Sequence, residues 1–326
     1  MIDYLVSVAT IVVIGGILAL GLNVRWGWSG DLDLAYYAYV AIGAYIGAVI
    51  QAPPSHQPPG SGWILGLSLP FPLGILGGVA ATIVVSAIVG SIALRRLRGD
   101  YFAITTVAFA LVAAAVLSQD YQIFNGFNGV YGVPQPFEAQ LNLNQSDYGW
   151  LFLGICVLAL VIVYAVLNLL YRSPFGMTLL ALREDESAAA AFGRNPYSEK
   201  LKAYVVGGVC AGLGGVLFAD YLSTWNPSAW APAETFLLYS AIFIGGQGNQ
   251  RGVLLGTLLA VGIIPEATRY IPQIPGHADL APALHMIIVG VLLIGVLKFR
   301  PKGVIPERRP KDRGREVGTV VAHGDG

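Results

Sequence analysis

Residues able to carry covalent chemistry are few in this chain, and their positions keep them apart. Ser29 lies in the run Gly27–Gly30 (GWSG), a pattern that can present the nucleophilic hydroxyl of an intramembrane serine protease, with His285 as the candidate base. A four-residue pattern recurs by chance, and the apolar runs place these two residues on opposite sides of a membrane. His56, His277 and His323 are isolated, without metal-ligand spacing. The chain has no Gly-x-x-x-x-Gly-Lys-Ser/Thr run, so any ATP hydrolysis must come from a separate chain. Cys156 and Cys210 both fall in apolar runs, which reads as packing rather than a disulfide framework or metal site. Asp31 and Asp33 follow Arg25 closely; they either pair with that arginine at an interface or line a polar pathway. The chain therefore reads as a non-enzyme.

The elements that must position these residues are set by lipid. Hydrophobic residues make up 55% of the chain and charged residues 12%, with a mean hydropathy of +0.65, which exceeds what a soluble domain carries. The 41 glycines sit within apolar runs at small-xxx-small spacing, as in Gly43/Gly47, Gly74/Gly78, Gly208/Gly212 and Gly252/Gly256, and predict close helix packing. The formal net charge is zero, and no nucleic-acid partner is implied. Membrane lipid is the expected surround.

The first apolar run, Tyr4–Leu22, has no positive n-region or small-residue cleavage site and reads as a retained span. Further spans are expected at Leu34–Ile50, Phe71–Leu94, Tyr101–Leu117, Trp150–Leu170, Ala203–Leu222 and Leu284–Phe299. A broken pair, Thr235–Gly246 and Gly252–Ile264, lies before the last. Each arm of the pair covers only about 18 Å as a helix against a hydrocarbon core of about 30 Å, so it forms either a re-entrant hairpin or two short spans. The expectation is an all-α polytopic protein of about eight or nine transmembrane helices. With the N-terminus outside and the C-terminus inside, all of the 19 Lys and Arg residues except Arg269 fall on the cytoplasmic side. Loops Gln51–Pro70 and Ser118–Gly149 then face outward. Residues 1–306 are expected to form a transmembrane domain and 307–326 a charged tail expected to be disordered.

Between two strong spans runs the cytoplasmic segment Ser173–Pro196, within a loop of residues 172–202. Ser173 and Pro174 suit a helix start, Gly193 a left-handed exit and Pro196 a stop. Charges at Arg183–Glu186, small residues at Ala188–Ala191 and the lone large apolar Phe192 suit docking on a soluble partner; a plain amphipathic connector is the other reading.

The ordered blocks GLNVRWGWSGDLDLAYYAYVAIGAY (Gly21–Tyr45), LRRLRGDYFAITTVAFA (Leu94–Ala110), FNGFNGV (Phe124–Val130), FIGGQGNQRG (Phe243–Gly252) and FRPKGV (Phe299–Val304), with the Ser173 segment, resemble the LivM-type permease subunits of ABC importers for branched-chain amino acids and related amides or urea. The resemblance covers about Leu18 to Pro306. It implies a multi-pass bacterial inner-membrane protein that forms half of a translocation pathway. The implied partners are a second homologous permease subunit, two cytoplasmic ABC ATPases and a periplasmic solute-binding protein, with no cofactor. The Ser173 loop is similar to the family's coupling loop, with Glu186, Ala188, Ala189 and Gly193 at matching positions and Phe192 beside them as the residue for the ATPase groove. Asn125 and Asn128 stand in a block similar to the outer mouth where the binding protein docks, although Asn-Gly pairs are also ordinary turns. Asp31, Asp33, Gly245, Gly246 and Gly248 are the pathway candidates. The chain departs from the family's GQxSxGH pattern at Gly30–Tyr36, which leaves the transported solute open, and an ion-coupled or passive transporter is the rival class.

Overall fold

The computed structural model describes residues 2–54, 65–96, 99–137, 144–227, 234–269, 303–307 and parts of 287–300. Most of the expected span Leu284–Phe299, together with His56, His277, His285, His323 and the tail beyond Glu307, lies outside the described residues. The described chain is helical: α1 Ile2–Asn23, α2 Tyr36–Gln51, α3 Phe71–Arg96, α4 Asp100–Gln119, α5 Gln145–Arg172, α6 Pro174–Glu184, α7 Glu186–Ala191, α8 Pro196–Leu222, α9 Glu234–Gly245, α10 Gln250–Thr257 and α11 Ile264–Arg269. Two-residue strands β1 Val130–Tyr131 and β2 Thr224–Trp225 pair antiparallel beyond the ends of α4 and α8.

Five of these helices are long and apolar enough to cross a membrane: Ile2–Trp28, Phe71–Arg95, Tyr101–Gln119, Ser146–Arg172 and Pro196–Leu222. Tyr36–Gln51 and Glu234–Gly245 are shorter apolar helices. Several boundaries differ from the sequence expectation, among them the start of α5 at Gln145 rather than Trp150. Helix α1 does not end near Leu22 but runs on through a π turn, Val24–Trp28; α8 starts at Pro196, capped by Asn195, whose side chain accepts from Ser198 N at 3.4 Å. The second arm of the broken pair also exceeds its expected length, because α10 continues through a π stretch, Leu258–Ile263, into α11.

The packing centre is the triple α2–α3–α8, with α1 laid against α5, α8 and the α9–α10 hairpin. Small residues hold it together, since helices in lipid gain stability from close van der Waals contact rather than from excluding water. A Cβ at Gly43 would lie 2.7 Å from the Gly212 Cα, and one at Gly78 would lie 2.7 Å from the Gly43 carbonyl oxygen. Gly212 also meets Thr82 and Gly208 meets Ser86. In the hairpin, Gly252 lies against Gly245 and Gly256 against Ala241. All four small-xxx-small pairs of the sequence thus mark helix contacts. Cys156 and Cys210 are free and buried.

Buried polar groups in this core are bonded across helices. Asp220 on α8 accepts from Gln51 Nε2 on α2 at 2.9 Å, and Tyr39 and Tyr204 share a hydroxyl bond of 2.9 Å.

Gly43→Val should force α2 from α8 and cost about 1–3 kcal/mol. Gly154→Ala, at a helical position open to its surroundings, should be neutral or gain about 0.5–1 kcal/mol. Melting temperatures of the purified proteins check this; equal temperatures for both variants would contradict the packing scheme.

Candidate functional site

The π turn widens the end of α1 and carries Arg25 into the protein. Its guanidinium is enclosed, and Arg25 and Asp33 form an ion pair whose side chains are both fully buried. Arg25 Nε donates to the Tyr204 carbonyl at 3.0 Å and Nη2 to Ser86 Oγ at 3.1 Å. The guanidinium carbon lies 3.9 Å from the Tyr204 ring centre, 4.5 Å from that of Tyr39 and 5.2 Å from that of Tyr36. Asp33 is held in turn: its Oδ1 accepts from Ala35 N at 3.0 Å, and its backbone exchanges two bonds with the Tyr239 hydroxyl. Such a set of partners is what a buried charge requires, because desolvation otherwise outweighs the attraction.

The two acids part company. Asp33 takes Arg25, whereas Asp31 binds Lys200 Nζ at 2.9 Å and accepts from the Ser29 hydroxyl. Burial lifts the Asp31 carboxyl above its ordinary range, against the opposing pull of Lys200. Ser29 is buried and tied to a carboxylate, and His285 lies outside the described residues. Around Asp31, Glu186 and Lys200 a polar cleft of about 400 Å³ opens, walled also by Trp26, Phe102 and Tyr197.

The residues after α1 meet the turn between α9 and α10. Asn23 Oδ1 accepts from Gly248 N at 2.9 Å, and Trp26 Nε1 donates to Gln247 Oε1 at 3.1 Å. Gly246 (φ +119) and Gly248 (φ +80) adopt conformations that favour glycine. A strap, residues 303–307, crosses this turn: Val304 N donates to the Ile244 carbonyl and Ile305 N to that of Gly245, both at 2.9 Å. Asn249 Nδ2 donates to the Pro306 carbonyl at 3.0 Å. The irregular backbone of the turn is therefore satisfied inside protein, the condition under which it is tolerated at membrane depth.

The Ser173–Pro196 loop is two helices rather than the single one expected. The chain breaks at Asp185 (φ −154, ψ 108), whose side chain caps α7 by accepting from Ser187 N at 2.9 Å and Ala188 N at 3.0 Å. A cap in mid-run competes successfully with helix continuation. At the loop's far end Phe192 is 88% exposed, a large apolar side chain outside every long apolar helix, and Gly193 follows at φ +81. Ala189 is buried and Ala188 exposed. The loop is latched to the membrane core at two points. Glu186 binds Lys200 at 3.2 Å, which binds Asp31. Arg183 donates to the Gly27 carbonyl and pairs with Glu307 of the strap at 2.7 Å. Sequence reasoning missed Arg183, Lys200 and Glu307, because nothing local pairs residues so far apart.

On the opposite side Asn125 is buried in a left-handed turn and donates to the Gly129 carbonyl at 3.0 Å. Asn128 and Phe127 are exposed at its tip.

The family model for the branched-chain amino acid transport system permease component matches residues 4–297. The chain belongs to this permease family. It is 31% identical to the high-affinity branched-chain amino acid transport permease LivM of Salmonella typhimurium, over 94% of this chain and 71% of that protein. To the probable LivM of Methanocaldococcus jannaschii it is 27% identical, over 91% of this chain and 82% of that one. The ribose import permease RbsC of Bacillus subtilis is 28% identical over 55% of this chain and 57% of its own length. No solved structure matches the chain. Family and apolar helices together make this permease a multi-pass inner-membrane protein.

The Asp185 cap yields a prediction with a definite sign. Its carboxyl lies below the ordinary range, through the Ser187 hydroxyl bond first and the Ala188 amide next. A lowered folded-state value means that the contribution is complete above the unfolded value of about 3.9 and lost as pH falls through the folded one. Amide exchange at Ser187 and Ala188 should be slow at neutral pH, quicken in acid beyond the intrinsic chemistry, and be fast at all pH in Asp185→Ala. Unchanged exchange in that variant would mean that α7 does not need its cap.

Proposed function

We propose that this permease chain forms half of the translocation pathway of an ABC importer and admits branched-chain amino acids or a related small polar solute to the cytoplasm. Coverage of the LivM proteins along nearly the whole chain supports that solute class over the sugar and nucleoside classes named for shorter matches. A second homologous permease, two cytoplasmic ATPases and a periplasmic binding protein complete the transporter. The N-terminus lies outside and the C-terminus inside, with about eight or nine spans and the α9–α10 hairpin as a re-entrant element. Residues 1–306 are the membrane domain and 307–326 a cytoplasmic tail. The distribution of Lys and Arg supports this orientation.

The observation that carries the reading is Phe192, 88% exposed on a helix pair latched to the core. A single exposed ring is ordinary on a surface, but this one stands at the exit of a loop similar to the family's coupling loop, where an ATPase would cover it. Phe192, presented by the Gly193 turn with Ala188 beside it, fits an apolar groove of the ATPase, and Glu186 fixes the rim through Lys200. ATP-driven closure would move the loop, and two polar routes carry that movement inward. One runs from Glu186 through Lys200 to Asp31; the other runs from Arg183 to Gly27 and, by way of Glu307, to the strap over Gly245, Gly246 and Gly248. Such coupling requires that the loop's contacts differ between two states of the transporter. The Arg25–Asp33 pair then anchors the pathway wall rather than meeting the solute. At the outer mouth Asn125 shapes the turn and Asn128, with Phe127, meets the binding protein.

Phe192→Ala should remove apolar contact of about 1–3 kcal/mol at an interface centre. Membrane level should stay normal while the ATPases are lost from the purified complex, or their hydrolysis ceases to respond to loaded binding protein. Full ATPase association and uptake in both Phe192→Ala and Gly193→Val would remove the coupling role from this loop.

A further inference from the structure

A cavity of about 470 Å³ lies between the last turns of α5 and the start of α10, beside the first residue of the coupling loop and apart from the Asp31 cleft. Tyr164, Asn168 and Arg172 form one wall, and Asn249, Gln250 and Arg251 the other. Gln250 is 7% exposed, and among the described residues neither its Nε2 nor its Oε1 has a hydrogen-bond partner. A buried amide left so is costly, and beside a cavity it is the kind of group that a bound water or a polar ligand satisfies.

The charge of the cavity defines the ligand. Arg172 and Arg251 are both exposed, and among the described residues neither has a carboxylate partner. Arg251 Nε donates only to the Tyr164 hydroxyl, at 3.4 Å. The first turn of α10 adds the positive end of its dipole, with the N–H groups of Arg251 and Gly252 capped by Asn249. The nearby Glu307 carboxylate accepts from Tyr171 at 3.3 Å but is already matched by Arg183. Two unmatched guanidinium forks, a phenol and a free amide suit an oxyanion, and the fork geometry suits phosphate.

The setting supplies the rest of the ligand. Leu158 and Val161, 61% and 56% exposed, stand on the same helical stripe as Asn168 and Arg172, about two to four turns nearer the start of α5. Leu160 of α5 and Leu254 of α10 both pack on Gly16 of α1, which ties the two walls together above the cavity. A polar, cationic end below an exposed apolar stripe matches a phospholipid. We propose that this cavity holds the headgroup phosphate of an anionic phospholipid from the leaflet at the Arg172 end of α5, with an acyl chain along Leu158 and Val161.

The test uses the whole transporter in nanodiscs of phosphatidylethanolamine with phosphatidylglycerol, followed by native mass spectrometry of retained lipid. The wild type should retain phosphatidylglycerol preferentially. Arg172→Gln with Arg251→Gln should lower its apparent affinity roughly 25-fold, about fivefold per arginine. Gln250→Leu should lower it with both arginines present. Melting temperatures in phosphatidylethanolamine alone should match the wild type, which separates lipid loss from misfolding. Equal retention in the double variant would overturn the site. So would competition by inorganic phosphate or glycerol 3-phosphate, which would make the ligand a soluble anion, and so would loss of the ATPases with phosphatidylglycerol retention intact, which would make the cavity a protein contact. Should the double variant not fold, the wild type alone decides: no preference for phosphatidylglycerol among its retained lipids defeats the proposal.

Discussion

A guanidinium cut off from water governs the inner half of this permease. Arg25 could not be buried on an apolar helix without Asp33, the Tyr204 carbonyl, Ser86 and three aromatic rings, since a lone charge in such a place is costly beyond anything packing returns. That set fixes the π turn, and the π turn fixes its neighbours. With Arg25 turned inward, Asn23 and Trp26 face the hairpin turn and the Gly27 carbonyl faces Arg183. The pair thus joins α1, α2, α3 and α8 at one point and gives the Ser173–Pro196 loop and the strap something rigid to hold.

Glycine does for the apolar part what Arg25 does for the polar part. Gly43, Gly78 and Gly212 bring three helices to backbone contact, so α2, α3 and α8 move as a unit more readily than they slide. The hairpin is joined to that unit chiefly through α1 and the bonds of Tyr239 to Asp33 and Thr235 to Tyr37, while the strap ties it to α5 and α6. An importer that alternates between two states needs such a division, a stiff block and a smaller element attached by polar contacts that can be exchanged.

Much of the fold was legible in the sequence because its determinants are local. Apolar run lengths located the helices, Gly193 and Pro196 located the loop's exit, and the small-xxx-small pairs located helix contacts. Phe192 was visible as the lone large apolar residue at that exit. What escaped depends on residues distant in sequence. The pairing of Asp31 with Lys200 and Asp33 with Arg25 could not be divided by spacing alone, since both acids stand near the same arginine. The break at Asp185 is a contest between helix continuation and a side-chain cap, which composition does not decide. The strap bonding of Val304 and Ile305 is backbone to backbone and leaves no side-chain signature. Gln250, without a hydrogen-bond partner among the described residues, is defined only by what fails to surround it there.

A double-mutant cycle on Arg25→Gln and Asp33→Asn, read as the unfolding stability of the purified permease, probes the central interaction most directly. Each single change leaves a buried group without its counter-charge and should cost about 3–5 kcal/mol. The double change should cost less than their sum by at least about 2 kcal/mol, the signature of direct coupling. Additive effects, or single changes below about 1 kcal/mol, would contradict the view that this pair organises the inner face.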